Sequence, residues 1–198
     1  MKYTTYVKKI GVNLFAEATN RVERAREILA NEENFNSEKI SNLAKDIVQI
    51  FESGKKIAFV GNGGSAAEAM HLAAEFTGKC VIDHVPLPVM CLNESQSALT
   101  AIANDYGVDY MFSRQVEAHL QEGDLLIALS TSGKSRNIVH ALEVCKLKRV
   151  RGIIWMGNYD FEIQNIESWK VQSKQTPRIQ EIHLLWGHIL SELIELLV

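Results

Sequence analysis

Apolar residues recur at helical spacing at the start of the chain, at Tyr6, Ile10, Leu14, Ala18 and Val22, with polar residues between them. This periodicity predicts one long helix over residues 3–30. The polar stretch Asn31 to Asn36 breaks it. Ser37 stands at a capping position before a second amphipathic pattern, with Ile40, Leu43, Ile47, Ile50 and Phe51 on one face and Gly54 at its end. From there, short aliphatic and β-branched runs alternate with helical ones. Strands are predicted over 56–60, 89–92, 124–129 and 151–156, with a weaker one over 169–173. Helices are predicted over 66–77, 95–103, 106–120 and 136–146. Thr176 caps a last helix, with Pro177 at its first position, which runs to about Leu197. Such alternation predicts an α/β fold, a parallel sheet covered by helices on both faces. Ligands of such sheets sit outside the carboxyl ends of the strands.

The chain has 198 residues, 46% of them hydrophobic, and lacks repeats, low-complexity tracts and long linkers. One domain over 1–198 is expected, with 1–53 as N-terminal helices used in oligomerisation and 54–198 as the α/β core with its long C-terminal helix. An amphipathic helix outside a compact core packs against a partner subunit, so a homo-oligomer is expected. The net charge of -3 offers no basic face, which argues against nucleic-acid backbone binding as the main task. Met1 to Lys9 is polar and no apolar run reaches membrane-spanning length, so a cytoplasmic protein with no membrane partner is expected. Cys80, Cys91 and Cys145 are odd in number and show no C-x-x-C spacing, which fits core thiols in a reducing compartment.

Two loops add chemistry to this frame. Gly61-Asn62-Gly63-Gly64-Ser65 follows the first strand, and Ser130-Thr131-Ser132-Gly133-Lys134-Ser135 follows the third. Each precedes a helix, whose first N–H groups and positive dipole end face the same spot. Glycine permits close backbone approach, and the hydroxyls add donors. Two such loops on neighbouring strands form one anion site. A phosphate is expected there, without the patterns of a nucleotide site.

His71 and Glu75 lie four apart on one predicted helix and share a face. On the last helix, spacing aligns His188 better with Glu181 than with Gln180, and leaves its partner open. Asp105 reads either as a helix N-cap or as a hydrogen-bond partner of a sugar hydroxyl. His84, His119, His140 and His183 are expected on surfaces or interfaces, and Trp155, Trp169 and Trp186 in packing.

Several segments together resemble the sugar isomerase (SIS) family and, within it, the phosphoheptose isomerases. They are Gly61 to His71, Ala73 to Gly78, Leu99 to Gly107, Ser130 to Gly133, Thr176 to Glu181, and Gly187-His188. The resemblance implies a three-layer fold with a five-stranded parallel sheet flanked by helices and preceded by the N-terminal helical pair. It also implies a homotetramer with active sites at subunit interfaces. The implied activity converts sedoheptulose 7-phosphate to D-glycero-D-manno-heptose 7-phosphate, a step supplying lipopolysaccharide or capsule. The implied substrate contacts are Asn62, Gly63, Gly64, Ser65, Glu75, Asn104, Asp105, Ser130, Thr131, Ser132, Ser135 and Gln180. The implied metal is one Zn2+ per subunit, held by His71, Glu75, Gln180 and His188. Lys79 and Lys134 depart from the residues common in the family at those positions.

Ketose–aldose isomerisation moves a proton between C1 and C2 through an enediol, which requires a base and an acid. Glu75 is the expected base and His188 its acid–base partner. Two other readings stay open at this point. One is a non-catalytic SIS-family adaptor of the replication-initiator-associating type, which lacks the Glu75 equivalent. The other is an isomerase for another sugar phosphate.

Overall fold

The computed structural model describes residues 13–198. The first helix, α1, spans Leu14–Ala30; the earlier part of the expected helix, with Tyr6 and Ile10, lies outside the described residues. α1 buries none of its residues, and Leu14, Phe15, Val22 and Leu29 are exposed. α2 (Ser37–Glu52) is capped by Asn36 rather than Ser37, because the Asn36 carbonyl oxygen accepts from Lys39 N–H at 2.8 Å. Unlike α1, α2 joins the core through Ile40, Leu43, Ala44 and Ile47.

The core follows as β1 (Ile57–Gly61), α3 (Gly64–Thr77), β2 (Val89–Cys91), α4 (Gln96–Tyr106), α5 (Ser113–His119), β3 (Leu125–Leu129), α6 (Arg136–Lys148), β4 (Arg151–Gly157), β5 (Glu167–Val171) and α7 (Thr176–Glu195). The expected helix over 106–120 is broken. Gly107, at φ 99, ends α4 and leads into a short 3-10 turn over Val108–Tyr110 before α5 begins. Asp105 therefore lies in the last turn of α4 and caps nothing; Ser95 is the cap of that helix. At α7 the N-cap position is Gln175, so Thr176 is already helical and Pro177 sits one residue further in.

All five strands are parallel, in the order β2-β1-β3-β4-β5. Side chains alternate across them. Ile57, Phe59, Leu125, Ile127, Ile153 and Trp155 enter one core with α2, α3 and α7. Ala58, Val60, Leu126, Ala128, Ile154 and Met156 enter the other with α5 and α6. β1 and β3 are buried throughout, as a strand covered on both faces must be. Trp155 stacks on Trp169, and Trp186 meets both edge-on, so the three tryptophans pack as expected. The chain leaves β1 towards β2 on one side and reaches β3 on the other. The β1/β3 boundary is thus the switch point at which sheets of this order bind ligands.

Candidate active site

Both glycine- and hydroxyl-rich loops leave the sheet at that switch point. β1 ends at Gly61, whose N–H donates to Asn93 Oδ1 (3.0 Å) while Asn93 Nδ2 donates back to Gly61 O (2.9 Å). The Asn93 amide thus acts as a neighbouring strand where β2 has ended. Gly63 is the N-cap of α3 at φ 56, a conformation costly for a residue with a Cβ, and provides no capping side chain. Ser135 holds the N-cap position of α6, yet its hydroxyl makes no cap bond. By contrast, Asn13, Asn36 and Ser95 do cap their helices with side chains. Two helix N-termini on adjacent strands therefore face the switch point without a side-chain cap.

The loops are tied to each other. Asn62 Nδ2 donates to Asn137 Oδ1 (2.8 Å), and Asn137 Nδ2 donates back to Asn62 Oδ1 (2.9 Å). The Asn62 side chain, expected to contact substrate, is engaged in this pair. Ser65 is buried and accepts from Gln180 Nε2 at 3.3 Å. Ser130 is buried, with an Oγ that has no partner among the described residues. Ser132 Oγ accepts from Lys134 N–H at 3.2 Å, and Thr131 O accepts from Gly157 N–H at 3.0 Å.

Beyond the loops, α3 and α7 bring three side chains together. His71 Nε2 lies 2.9 Å from His188 Nε2 and 3.3 Å from Glu75 Oε1. One ligating atom from each of the three lies within 4.8 Å of the other two. The approach depends on Gly187, where a Cβ would run into the buried Leu72 side chain next to His71. Gln180, two turns earlier on α7, lies against Gly64 and Ser65 and so spans from the helix of His188 to the first loop. Asn104 and Asp105 are exposed at the end of α4; Asn104 Nδ2 donates to Asp105 Oδ1 (2.8 Å), and no described hydrogen bond ties them to the cluster.

Some neighbours of the site had no legible signal. Glu68, in the first turn of α3, has a buried Oε2 with no partner, and burial pushes its carboxyl up to about 7 against the opposing Ser65 hydrogen bond. His183 is fully buried, packed on Trp155 and Trp186, not at a surface; burial pushes it down to about 3, a neutral ring. The His84 side chain is likewise buried, with Nε2 3.5 Å from Glu195 Oε1. Cys91 and Cys145 are core thiols as expected, but Cys80 is only half-buried and belongs to the surroundings of Glu75.

Comparison with known proteins agrees with this geometry. Residues 4–153 match the SIS domain family. A phosphoheptose isomerase of Aneurinibacillus thermoaerophilus is 44% identical over 170 residues, covering 85% of each chain. Among solved structures, a phosphoheptose isomerase from Neisseria gonorrhoeae superposes with a TM-score of 0.82 at 33% identity, covering 91% of this chain and 98% of that one. One from Francisella tularensis gives a TM-score of 0.87 at 27% identity, covering 93% and 100%. With its five-stranded parallel sheet, its paired loops and its His–Glu–His cluster, the chain belongs to the SIS family and, within it, to the phosphoheptose isomerases.

Proposed function

We propose that this enzyme is a sugar-phosphate aldose–ketose isomerase that converts sedoheptulose 7-phosphate to D-glycero-D-manno-heptose 7-phosphate. The observation that carries the reading is the meeting of His71, Glu75 and His188 at the end of the same helix pair whose Ser65 and Gln180 border the anion loops. A substrate with a phosphate at one end and a reacting carbonyl at the other matches such a two-ended site.

In this reading the phosphoryl group sits at the switch point, bound by Ser65, Ser130, Thr131, Ser132 and Ser135 and by the N–H groups opening α3 and α6. Glu75 takes the C1 proton, and His188 serves C2 and the sugar oxygens. Two imidazole nitrogens 2.9 Å apart with a carboxylate oxygen beside one of them form a donor set that suits Zn2+. His71, Glu75, Gln180 and His188 are the residues that would hold it. Bound there, Zn2+ supplies a Lewis acid that polarises the sugar carbonyl.

The wider reading is a homotetramer with interfacial active sites. The exposed apolar positions of α1 and the exposed Asn104 and Asp105 support it, since both await a neighbour. Free thiols support a reducing, cytoplasmic location, and no helix among the described residues is long and apolar enough to cross a membrane. An adaptor needs no convergent acid–imidazole cluster, so catalysis is the better reading.

Incubating the purified protein with sedoheptulose 7-phosphate tests it. Aldose phosphate should appear, and Glu75→Gln should abolish turnover while leaving the thermal unfolding transition in place. Near-normal turnover by Glu75→Gln would refute the role assigned to that carboxylate.

A further inference from the structure

Glu75 has a second neighbour besides His71. The Cys80 thiol donates a hydrogen bond to the Glu75 carboxylate and lies beside Ser191 of α7. Cys80 is itself anchored. Its backbone N–H donates to Glu195 Oε1 (2.6 Å), and the N–H groups of Val81 and Ile82 bind the same carboxylate at 2.9–3.1 Å. Glu195, in the last turn of α7, is buried. Burial alone would raise its carboxyl; the backbone N–H groups of Ile82, Cys80 and Val81, with His84, hold it below the usual carboxylate range. It is therefore an ionised clamp on three successive residues of the loop after α3.

We propose that Cys80 is a positioning residue for Glu75, presented to it by the Glu195 clamp. The inference rests on the isomerase reading of Glu75. A carboxylate with one imidazole contact can turn about its side-chain torsions and swing its oxygens away from a substrate carbon. A second, anchored donor fixes that rotation. The thiol suits the task because burial and the charges of Glu75 and Glu195 push it up to about 11, so the S–H proton is retained at neutral pH. Serine has the same shape and donor, whereas alanine has the shape alone. The anchor comes from α7, the helix that carries His188, so base and acid–base partner are referenced to one rigid element.

The test compares kcat and KM for sedoheptulose 7-phosphate in the wild type, Cys80→Ala and Cys80→Ser, with thermal unfolding followed alongside. Cys80→Ala should lose about tenfold in kcat with KM within about twofold, since misplacing a catalytic group acts on the chemical step. Cys80→Ser should recover most of that loss. An alanine variant with wild-type kcat, a serine variant as slow as alanine, or a loss confined to KM would each overturn the inference. If Cys80→Ala fails to fold, Cys80→Ser decides alone: near wild-type kcat supports the inference and a tenfold loss refutes it. A wild type inert towards the substrate would instead overturn the isomerase reading, and this inference with it.

Discussion

Ser130 Oγ is buried at the end of β3 without a hydrogen-bond partner among the described residues, a state that is costly unless something else supplies one. A phosphate oxygen would. Ser130→Ala should therefore leave stability unchanged or slightly raised, yet raise KM about tenfold or more, as expected for a lost hydrogen bond to a charged group. Inhibition by inorganic phosphate should weaken in parallel, and an unchanged phosphate inhibition constant would remove Ser130 from the anion site. Glu68, one turn from Ser65, makes a different prediction. Its carboxyl is pushed from 4.5 up to about 7, so the folded protein holds a proton that the unfolded chain releases. The resulting stability is fully present below pH 4.5 and is lost as pH rises through about 7. The shift alone corresponds to about 3 kcal/mol; solvent screening of this partly exposed group reduces that to about 1 kcal/mol. Urea unfolding at pH 5 and pH 8 should show Glu68→Gln less sensitive to the change than the wild type, and equal sensitivity would contradict the assignment.

α3 and α7 carry the candidate chemistry, and their separation decides whether His71 meets His188. Gly187→Ala places a methyl group against Leu72, which is fully buried and has no room to yield. Overpacking of this kind should cost about 1–3 kcal/mol. Because it separates the helices beside the cluster, it should also reduce kcat far more than Ser130→Ala does. Chemical denaturation and steady-state kinetics together check it; a stable, fully active variant would mean that the close approach is not required. At this scale most strands and helices were legible from periodicity, because fully buried runs such as 57–61 and 125–129 need apolar residues on both faces. The helix over 106–120 was misread since its apolar spacing continues through Gly107, and only the positive φ there reveals the break. Capping was misplaced by one residue at α2 and α7, where neighbouring polar residues compete for the same N–H groups.

Across the whole molecule, the switch point of the sheet places the phosphate loops on adjacent strands, and the α3/α7 pair sets the acid–imidazole cluster beyond them. The loops and the His71–Glu75 pair were legible because each lies within a short stretch of chain. The meeting of His71 with His188 was not readable from spacing: 117 residues separate them, and only the fold, with Gly187, closes the gap. Asn93, Asn137, Cys80 and Glu195 left no signal either, since they act on backbone or on residues distant in sequence. The exposed Leu14, Phe15, Val22 and Leu29 of α1 leave an apolar face that fits burial in an oligomer, where the open side of the site would be completed. The most direct measurement is a crystal structure of Glu75→Gln with sedoheptulose 7-phosphate bound. The account predicts the phosphate against Ser65, Ser130, Ser132 and Ser135, with C1 and C2 beside residue 75 and His188. A sugar whose C1 and C2 lie away from that pair in every subunit would contradict it.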